Sequence, residues 1–400
     1  MKQKRGLIIT LGLLTAVAPF SIDTYLPAFT VISQDLHADI SYVAYSLTSF
    51  FIGISLGQAL CGPLLDRFGR KKPLIIGLSI YVLAAVACAS VQSVNWLIAI
   101  RFLLALGGCV GLVASRAVVR DLFTPQEMAG VLSTLMLIMG VSPIIAPTIG
   151  GYISEVAGWR YIFGFLALVG ITLIIMVLRY LPESKPADPS ISLKPTRILK
   201  DYATVLKEPV FSIHSLVAGL ASGSMFSYIA GSPFVFMKLH NLSQTEYGWA
   251  FGFNACGMIL GSQVNRFWLR RAKSEDILKK VSAFQWITAM LLIMGTVLNL
   301  FNAIGLLSIM FIYLFFHGFI SPNAAATALF PFKRYAGSAS ALLGCIQMLI
   351  GAAASGLVSY FHNDTALPMV VGMAISSTLG YFLLIAPSLT RRNLQTVSGS

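Results

Sequence analysis

Long stretches without a charged residue recur along the whole chain, and they constrain the fold more than any other feature. Residues 74–91, for example, contain no charge at all. A run of this kind can cross a bilayer, because the hydrocarbon core is about 30 Å thick and a helix rises about 1.5 Å per residue. Only helices and closed barrels satisfy every backbone polar group in lipid. Because these runs are continuously apolar rather than alternating, they predict an all-α membrane bundle.

Twelve such spans are predicted. Their approximate bounds are 7–33, 43–64, 73–91, 96–119, 128–153, 159–181, 208–236, 248–268, 279–299, 303–328, 336–360 and 368–388. The longest polar connection, 182–207, is rich in proline and separates six spans from six. We therefore predict an N-terminal bundle of residues 1–181, a cytoplasmic linker of 182–207 and a C-terminal bundle of 208–400.

The distribution of basic residues explains the net charge of +13, which in a soluble protein would indicate a nucleic-acid partner. With both termini on the inner side, 24 of the 28 Lys and Arg residues fall in inner segments and 2 in outer ones. Cytoplasmic loops of membrane proteins carry this excess. The pattern predicts both termini in the cytoplasm, contact with membrane lipid and no nucleic-acid partner.

The segment between the second and third spans is short and densely charged. Its constrained positions are Gly62, Leu64, Asp66, Arg67, Gly69, Arg70 and Lys71. This pattern resembles the cytoplasmic signature of the major facilitator superfamily of transporters. An ordinary basic loop would account for the cations, but not for Asp66 or for both glycines. The resemblance implies two pseudo-symmetric six-helix bundles and an inner gate, in which we expect Arg67 and Arg70 to pair with Asp121.

Asp23 is the only acidic residue that falls inside a predicted span rather than at its end. A carboxylate at the centre of a membrane helix costs about 2.5–3.5 kcal/mol on insertion scales, so it is expected to face a cavity or a partner. Because burial makes a carboxyl easier to protonate, Asp23 is our candidate proton-coupling and substrate-contacting residue. The alternative is a carboxylate at the outer end of the helix that water reaches and that serves only solubility or packing.

Arg101 lies in the fourth span, six residues before Gly107. This spacing resembles the second signature of the superfamily, which implies an Arg that faces the cavity and takes part in proton coupling. In the alternative, Arg101 extends outward to the membrane surface. We hypothesise that Asp23 and Arg101, at comparable depth, interact directly or through water.

The fifth span carries a run of small residues and prolines. It resembles the antiporter signature of the superfamily at Ala146, Pro147, Gly150 and Gly151, with Ser142 and Ala146 in place of two glycines. The resemblance implies exchange rather than symport. Ordinary close packing of small residues is the alternative.

Two weaker patterns complete the candidate sites. Residues 261–271 come at the end of the eighth span, just as the charged signature comes at the end of the second span, 199 residues earlier. Asn265 takes the place of Asp66. We interpret this as a decayed internal repeat. Aromatic residues that are candidates to line an apolar cavity are Tyr25, Phe226, Tyr228, Phe234 and Phe236.

Residues 21–29 and 115–123 resemble the bicyclomycin- and chloramphenicol-resistance (Bcr/CflA) group within the twelve-helix drug:proton antiporter branch. That resemblance implies a multidrug efflux antiporter of a bacterial cytoplasmic membrane, which works by alternating access and functions as a monomer. Its substrates would be small amphenicol- or bicyclomycin-like compounds. The proton gradient would drive it, so no cofactor and no metal site are expected.

Three alternatives remain open at this point. The chain could export a physiological solute, such as an amino acid or nucleoside, with the same machinery. It could be a uniporter or importer without proton coupling, which would make Asp23 structural. It could also be a receptor, although the longest polar segment is too short for a soluble domain. An enzyme is not expected, since no paired acids, H-E-x-x-H helix or Ser–His arrangement is present.

Overall fold

The structure is a computed structural model that describes residues 2–189, 202–332 and 336–397. Within these residues the chain forms thirteen α-helices and no strand. The helices of the first half are α1 (Lys2–Asp23), α2 (Phe29–Asp35), α3 (Ile40–Phe68), α4 (Lys71–Ala89), α5 (Val94–Leu122), α6 (Pro125–Val156) and α7 (Arg160–Tyr180). Those of the second half are α8 (Pro209–Pro233), α9 (Gln244–Trp268), α10 (Ser274–Val297), α11 (Ala303–Leu329), α12 (Ala336–Tyr360) and α13 (Leu367–Val397).

Eleven stretches of the described residues are long and apolar enough to cross a membrane. One of them is formed by α1 and α2 together, as Lys4–Asp35, and the others lie in α3 to α8 and α10 to α13. The predicted eighth span forms the 25-residue helix α9, which is not one of the eleven. The all-helical membrane fold is therefore confirmed.

The chain divides into two compact units. Unit 1 comprises Met1–Leu199 and Phe236–Gly252, and unit 2 comprises Lys200–Val235 and Phe253–Ser400. The first half of α9 thus groups with the N-terminal helices, an exchange that the predicted boundaries do not include. Residues 190–201 of the predicted linker lie outside the described residues. So do five of the basic residues used to predict the orientation, namely Lys194, Arg197, Lys200, Lys333 and Arg334.

Two predicted helix boundaries are wrong. The first span is not one helix, since α1 ends at Asp23 and a 3₁₀ turn, Leu26–Ala28, leads into α2. Pro27 explains the interruption, because it has no N–H to donate to the carbonyl of Asp23 four residues earlier. The second span continues to Phe68, so most of the charged signature is helical. Only Gly69 and Arg70 lie between α3 and α4, and Gly69 has a φ of +82°, a backbone conformation that favours glycine.

Close approaches at small residues hold α5 against its neighbours in unit 1. A Cβ on Gly107 would lie 2.5 Å from the backbone nitrogen of Tyr81 in α4. On another face of α5, the Ser115 hydroxyl donates to the carbonyl of Leu11 in α1 at 3.0 Å. Small residues allow membrane helices to approach in this way, where lipid gives little hydrophobic drive for association. Gly107 of the second signature therefore has a packing role.

Unit 2 has a neutral hydrogen-bonded group where the decayed repeat falls. The Oδ1 atom of Asn265 accepts from Nδ2 of Asn323 at 2.8 Å, and the Ser274 hydroxyl donates to Oδ1 of Asn323 at 2.8 Å. Asn265 and Asn323 are both buried. Buried polar groups need partners of this kind. Uncharged amides thus take the position that an acid occupies in the first half.

The packing of α5 gives a direct test. We expect Gly107→Ala to lower the free energy of unfolding by about 1–3 kcal/mol, because the new methyl group meets backbone atoms that cannot move aside. The matched control is Gly164→Ala, since a Cβ at Gly164 meets no atom within 4 Å. Thermal unfolding of both purified variants in detergent measures the effect. Equal melting temperatures for the two variants would contradict the packing role.

Candidate functional site

The interruption of the first span places Asp23 at the end of a helix inside the membrane. We call residues 23–27 the helix-1 break. The backbone tightens there, since the N–H of Tyr25 donates to the carbonyl of Ile22 at 3.3 Å, three residues back rather than four. The carbonyls of the last turn of α1 consequently lose their usual partners.

The carboxyl group of Asp23 lies in the helix-1 break without a polar partner. Asp23 is 4% exposed. Among the described residues, its side chain forms no hydrogen bond and no ion pair. A carboxyl group in this setting is costly to keep, and an intramembrane acid without a structural partner marks a functional site. The alternative of a well-exposed acid that serves solubility is not supported by this burial.

Arg101 lies against the same turn of helix 1, completely buried. Its guanidinium carbon is 4.3 Å from the centroid of the Tyr25 ring and 4.5 Å from that of the Phe50 ring. Such cation–π contacts stabilise a desolvated cation by about 2 kcal/mol. The alternative, in which Arg101 extends outward to the membrane surface, is not supported by this burial.

One hydrogen bond connects Arg101 to the backbone of α1. Its Nη1 atom donates to the carbonyl of Ser21 at 2.8 Å, while Nε and Nη2 have no partner among the described residues. Arg101 and Asp23 form no ion pair within the described part of the chain, so the direct form of the hypothesis is wrong. Contact between them through water stays a prediction. Arg101 instead caps the C-terminal end of α1, where a cation interacts favourably with the helix dipole.

A second contact fixes the same turn. The Ser21 hydroxyl and the Tyr81 hydroxyl of α4 are 2.8 Å apart. Ser21 therefore holds α1 to α4 through its side chain and to α5 through its carbonyl. Sequence reasoning missed both Ser21 and Tyr81. Their signal is weak, because serine and tyrosine are common in membrane helices. Ser21 begins the family-like segment 21–29 but was not singled out there, and Tyr81 lies in no recognised motif.

The antiporter-like segment of α6 packs directly on the helix-1 break. A Cβ on Gly150 would overlap the carbonyl oxygen of Thr24, the residue that follows Asp23. A Cβ on Gly151 would lie 2.7 Å from the carbonyl oxygen of Gln244, at the start of α9. Pro147 and the fully buried Ala146 belong to the same surface. Glycines at these positions thus allow α6 to contact both the break and the first turn of α9.

A charge cluster lies at the opposite end of the unit 1 helices, where α1 and α4 begin and α3, α5 and α7 end. We call this the basic end. The buried Arg70 is its centre, with Nε 2.8 Å from Oδ2 of Asp121 and Nη1 2.9 Å from Oδ1 of Asp66. The predicted pairing of Arg70 with Asp121 is confirmed. These bonds connect the loop before α4 to the ends of α3 and α5.

Residues just after α7 complete this cluster. Lys185 lies 3.0 Å from Oδ1 of Asp66, and the Ser184 hydroxyl donates to Asp121 at 3.1 Å. Glu183 accepts from the backbone N–H of Arg70 at 2.6 Å. Sequence reasoning assigned this segment to a linker and missed these contacts. Charged residues immediately after an apolar span were the signal available.

The remaining positions of the first signature have other environments. Asp121 does not pair with Arg67, so that part of the prediction is wrong. The guanidinium of Arg67 lies 5.8 Å from the Phe68 ring, and its carbonyl accepts from the N–H of Asp188. No atom lies within 4 Å of a Cβ on Gly62. A Cβ on Gly69 would lie 3.0 Å from the Glu183 carboxyl group, so a larger residue would displace that contact.

All five candidate aromatic residues are buried. Tyr25 donates or accepts a hydrogen bond with Ser46 at 3.0 Å. In unit 2, Asn254 donates to the Tyr228 hydroxyl at 3.0 Å, and the Phe234 ring contacts His362 at 4.4 Å. Phe226 and Phe236 pack near Gly351 and His240, respectively. Tyr25 alone belongs to the helix-1 break, and a cavity-lining role for the other four stays a prediction.

Known transporters resemble this chain in sequence and in fold. The sequence matches the Major Facilitator Superfamily over residues 11–356. It is 33% identical to the uncharacterized MFS-type transporter YdgK of Bacillus subtilis, over 95% of this chain and 94% of that one. It is 32% identical to the bicyclomycin resistance protein homolog of Haemophilus influenzae, with 97% of each chain covered. The family predicted from the motifs is thereby confirmed.

The fold is similar to that of solved transporters. The crystal structure of the nucleoside transporter NupG aligns with a TM-score of 0.76, over 96% of this chain and 99% of that chain. Its sequence identity is 15%, so the likeness concerns the fold alone.

The cap on α1 gives a second test. We expect Arg101→Lys to lower the free energy of unfolding by about 2 kcal/mol, because an ammonium group lacks the planar surface that stacks between Tyr25 and Phe50. Arg120→Lys is the matched control, since the Arg120 side chain is 61% exposed in the last turn of the same helix. Thermal unfolding in detergent measures both variants. A stability loss of the same size at Arg120 would contradict a specific role for Arg101.

Proposed function

Because the chain belongs to the Major Facilitator Superfamily, we propose that it exports small drug-like molecules in exchange for protons. The protein is a multi-pass membrane transporter of small molecules, and it is not an enzyme. The direction of transport, the coupling ion and the substrate class are the content of the proposal.

The observation that carries the proposal is the buried, partnerless carboxyl group of Asp23 at the helix-1 break. Asp23 ends α1, and the helix dipole opposes a negative charge at that position. A carboxylate there needs a proton, a cation or water to compensate its charge. A group with this requirement, and without a fixed partner, is suited to exchange one ligand for another during a transport cycle.

In the proposed cycle, Asp23 holds a proton when the substrate is absent and releases it when the substrate binds. The two ligands compete because each compensates the same carboxyl group. Arg101 is a positioning residue in this scheme, since it holds Ser21 and thereby keeps the end of α1 in place. Alternating access then exposes Asp23 to one side of the membrane and then to the other.

The contact between Gly150 and the helix-1 break supports exchange rather than symport. Gly150 allows the antiporter-like segment of α6 to lie on Thr24, one residue after Asp23. Any movement of the break therefore meets α6 directly. The segment that resembles the antiporter signature is therefore in contact with the proposed proton site.

The proposed substrates are small antibiotics of moderate polarity. The relative from Haemophilus influenzae is a bicyclomycin resistance protein homolog, which supports this class. Aromatic groups beside Asp23, with Tyr25 as the nearest in sequence, would suit compounds that carry both a ring and polar substituents.

The basic end of unit 1 is assigned to the cytoplasm, following the excess of Lys and Arg on that side. In this orientation both termini lie in the cytoplasm of a bacterial cell. The proposed transporter works in the cytoplasmic membrane as a monomer. The cluster of Asp66, Arg70, Asp121 and Lys185 is then part of the inner gate, where it ties α3, α4 and α5 to the segment after α7.

Proton release on substrate binding tests the proposal. The purified protein in weakly buffered detergent is titrated with amphenicols, bicyclomycin and other small antibiotics, and a pH indicator follows the medium. We expect the native protein to release protons and Asp23→Asn to release none, since the amide cannot hold the exchanged proton. Asp276→Asn, which removes an exposed carboxyl group, is expected to behave as the native protein does.

Two results would contradict this assignment. Equal proton release from the native protein and Asp23→Asn would place the coupling group elsewhere. Binding of an antibiotic without proton release from either protein would favour a transporter without proton coupling. If no antibiotic binds while both proteins remain folded, a panel of amino acids and nucleosides tests the physiological exporter instead.

A further inference from the structure

An open cavity lies at the basic end of unit 1, apart from the helix-1 break. Its volume is about 630 Å³. Four helix ends surround it, namely the beginnings of α1 and α4 and the ends of α5 and α7. The lining residues are Lys4, Leu7, Lys71, Leu122, Phe123, Leu178, Arg179, Tyr180, Leu181 and Pro182.

Two of the three cations in this cavity have no acidic partner. Among the described residues, the side-chain ammonium of Lys71 donates only to the carbonyl of Leu178, at 3.2 Å, and Arg179 forms no ion pair. Lys4 is paired with Glu127 at 2.6 Å on the rim. Glu183 is also near, but its carboxylate accepts from backbone N–H groups at Arg70 and Lys71. The cavity therefore keeps two positive charges that no side chain compensates.

The rest of the lining is apolar and continues along α7. Leu178 is 56% exposed and Leu122 is 40% exposed. Along the same face of α7, Ile175, Ile171 and Leu168 are also exposed. This apolar stripe spans about 15 Å, since ten residues separate its ends. It runs from the cavity into the membrane-spanning part of the helix, along the direction that an acyl chain follows.

The depth of the cavity suits the headgroup region of a bilayer. Each of its four helix ends is the end of an apolar span. Charged groups at such ends lie at the level of the lipid phosphates, while the adjoining apolar residues lie in the hydrocarbon. Basic pockets between transmembrane helices on the cytoplasmic side are known to bind lipid phosphates.

We propose that this cavity binds an anionic phospholipid of the inner leaflet. Lys71 and Arg179 hold the phosphate, and one acyl chain lies on the stripe formed by Leu178, Ile175, Ile171 and Leu168. The lipid must carry a net negative charge, because two uncompensated cations attract its phosphodiester more strongly when the headgroup has no amine. The lipid connects the first turn of α4 to the last turn of α7, so it stabilises unit 1.

Lipid binding to the purified, delipidated protein tests this proposal. Native mass spectrometry and thermal unfolding are measured with phosphatidylglycerol and with phosphatidylethanolamine of the same acyl chains. We expect phosphatidylglycerol to remain bound and to raise the melting temperature, with a much smaller effect of phosphatidylethanolamine. The variant Lys71→Gln/Arg179→Gln is expected to bind phosphatidylglycerol about 30-fold more weakly, from the usual attraction of two basic residues to anionic lipid.

The matched control removes the same charge from the same end of unit 1. Arg5 and Lys72 are exposed and do not line the cavity, so Arg5→Gln/Lys72→Gln is expected to bind phosphatidylglycerol as the native protein does. If Lys71→Gln/Arg179→Gln fails to fold, the exchange variant Lys71→Arg/Arg179→Lys is used, and it is expected to retain binding.

Several results would overturn the proposal. Equal weakening in the control would mean that any surface cation at this end attracts the lipid. Equal binding of phosphatidylethanolamine would remove the requirement for a negative headgroup. The same stabilisation by inorganic phosphate alone would identify a site for soluble anions rather than for lipid. Loss of binding in the exchange variant would exclude a simple charge-based site.

Discussion

The backbone of a membrane helix has no water to satisfy it, and the candidate site depends on how this chain meets that constraint. Pro27 interrupts the first span, so the last carbonyls of α1 lose their usual N–H partners. Arg101 supplies a replacement at Ser21, and the rings of Tyr25 and Phe50 shield its charge. An interruption that would otherwise be costly is thereby stabilised, and Asp23 is kept at its edge without a partner of its own.

Charge is placed differently in the two units. In unit 1, Arg70 is shared by Asp66 and Asp121, and these ion pairs join three helices at the basic end. In unit 2, Asn265 and Asn323 make a neutral pair at the position related by the sequence repeat. Neutral amides hydrogen-bond without the desolvation cost of buried ions. The repeat therefore preserves a polar contact between helices in both units, with ion pairs at this position in unit 1 and neutral amides at the related position in unit 2.

The fold was predictable because continuously apolar runs of membrane length form helices. The family was predictable because the signature motifs are present in the sequence. The charge cluster was predictable in part. The resemblance to the superfamily signature implied the bond between Arg70 and Asp121, but Lys185 belonged to a segment without periodicity. The relation of Asp23 to Arg101 was not predictable. It depends on the tightened turn before Pro27, where the N–H of Tyr25 donates to Ile22 and leaves the Ser21 carbonyl to Arg101. A proline near the end of an apolar run does not reveal where the helix stops.

The central claim is that Asp23, held at the helix-1 break, couples transport to protons. Proteoliposomes loaded with a transported antibiotic separate coupling from transport, because exchange of labelled for unlabelled compound needs no proton gradient. The account predicts that Asp23→Asn retains this exchange and loses accumulation driven by an imposed pH gradient. Gradient-driven accumulation by Asp23→Asn at the rate of the native protein would contradict it.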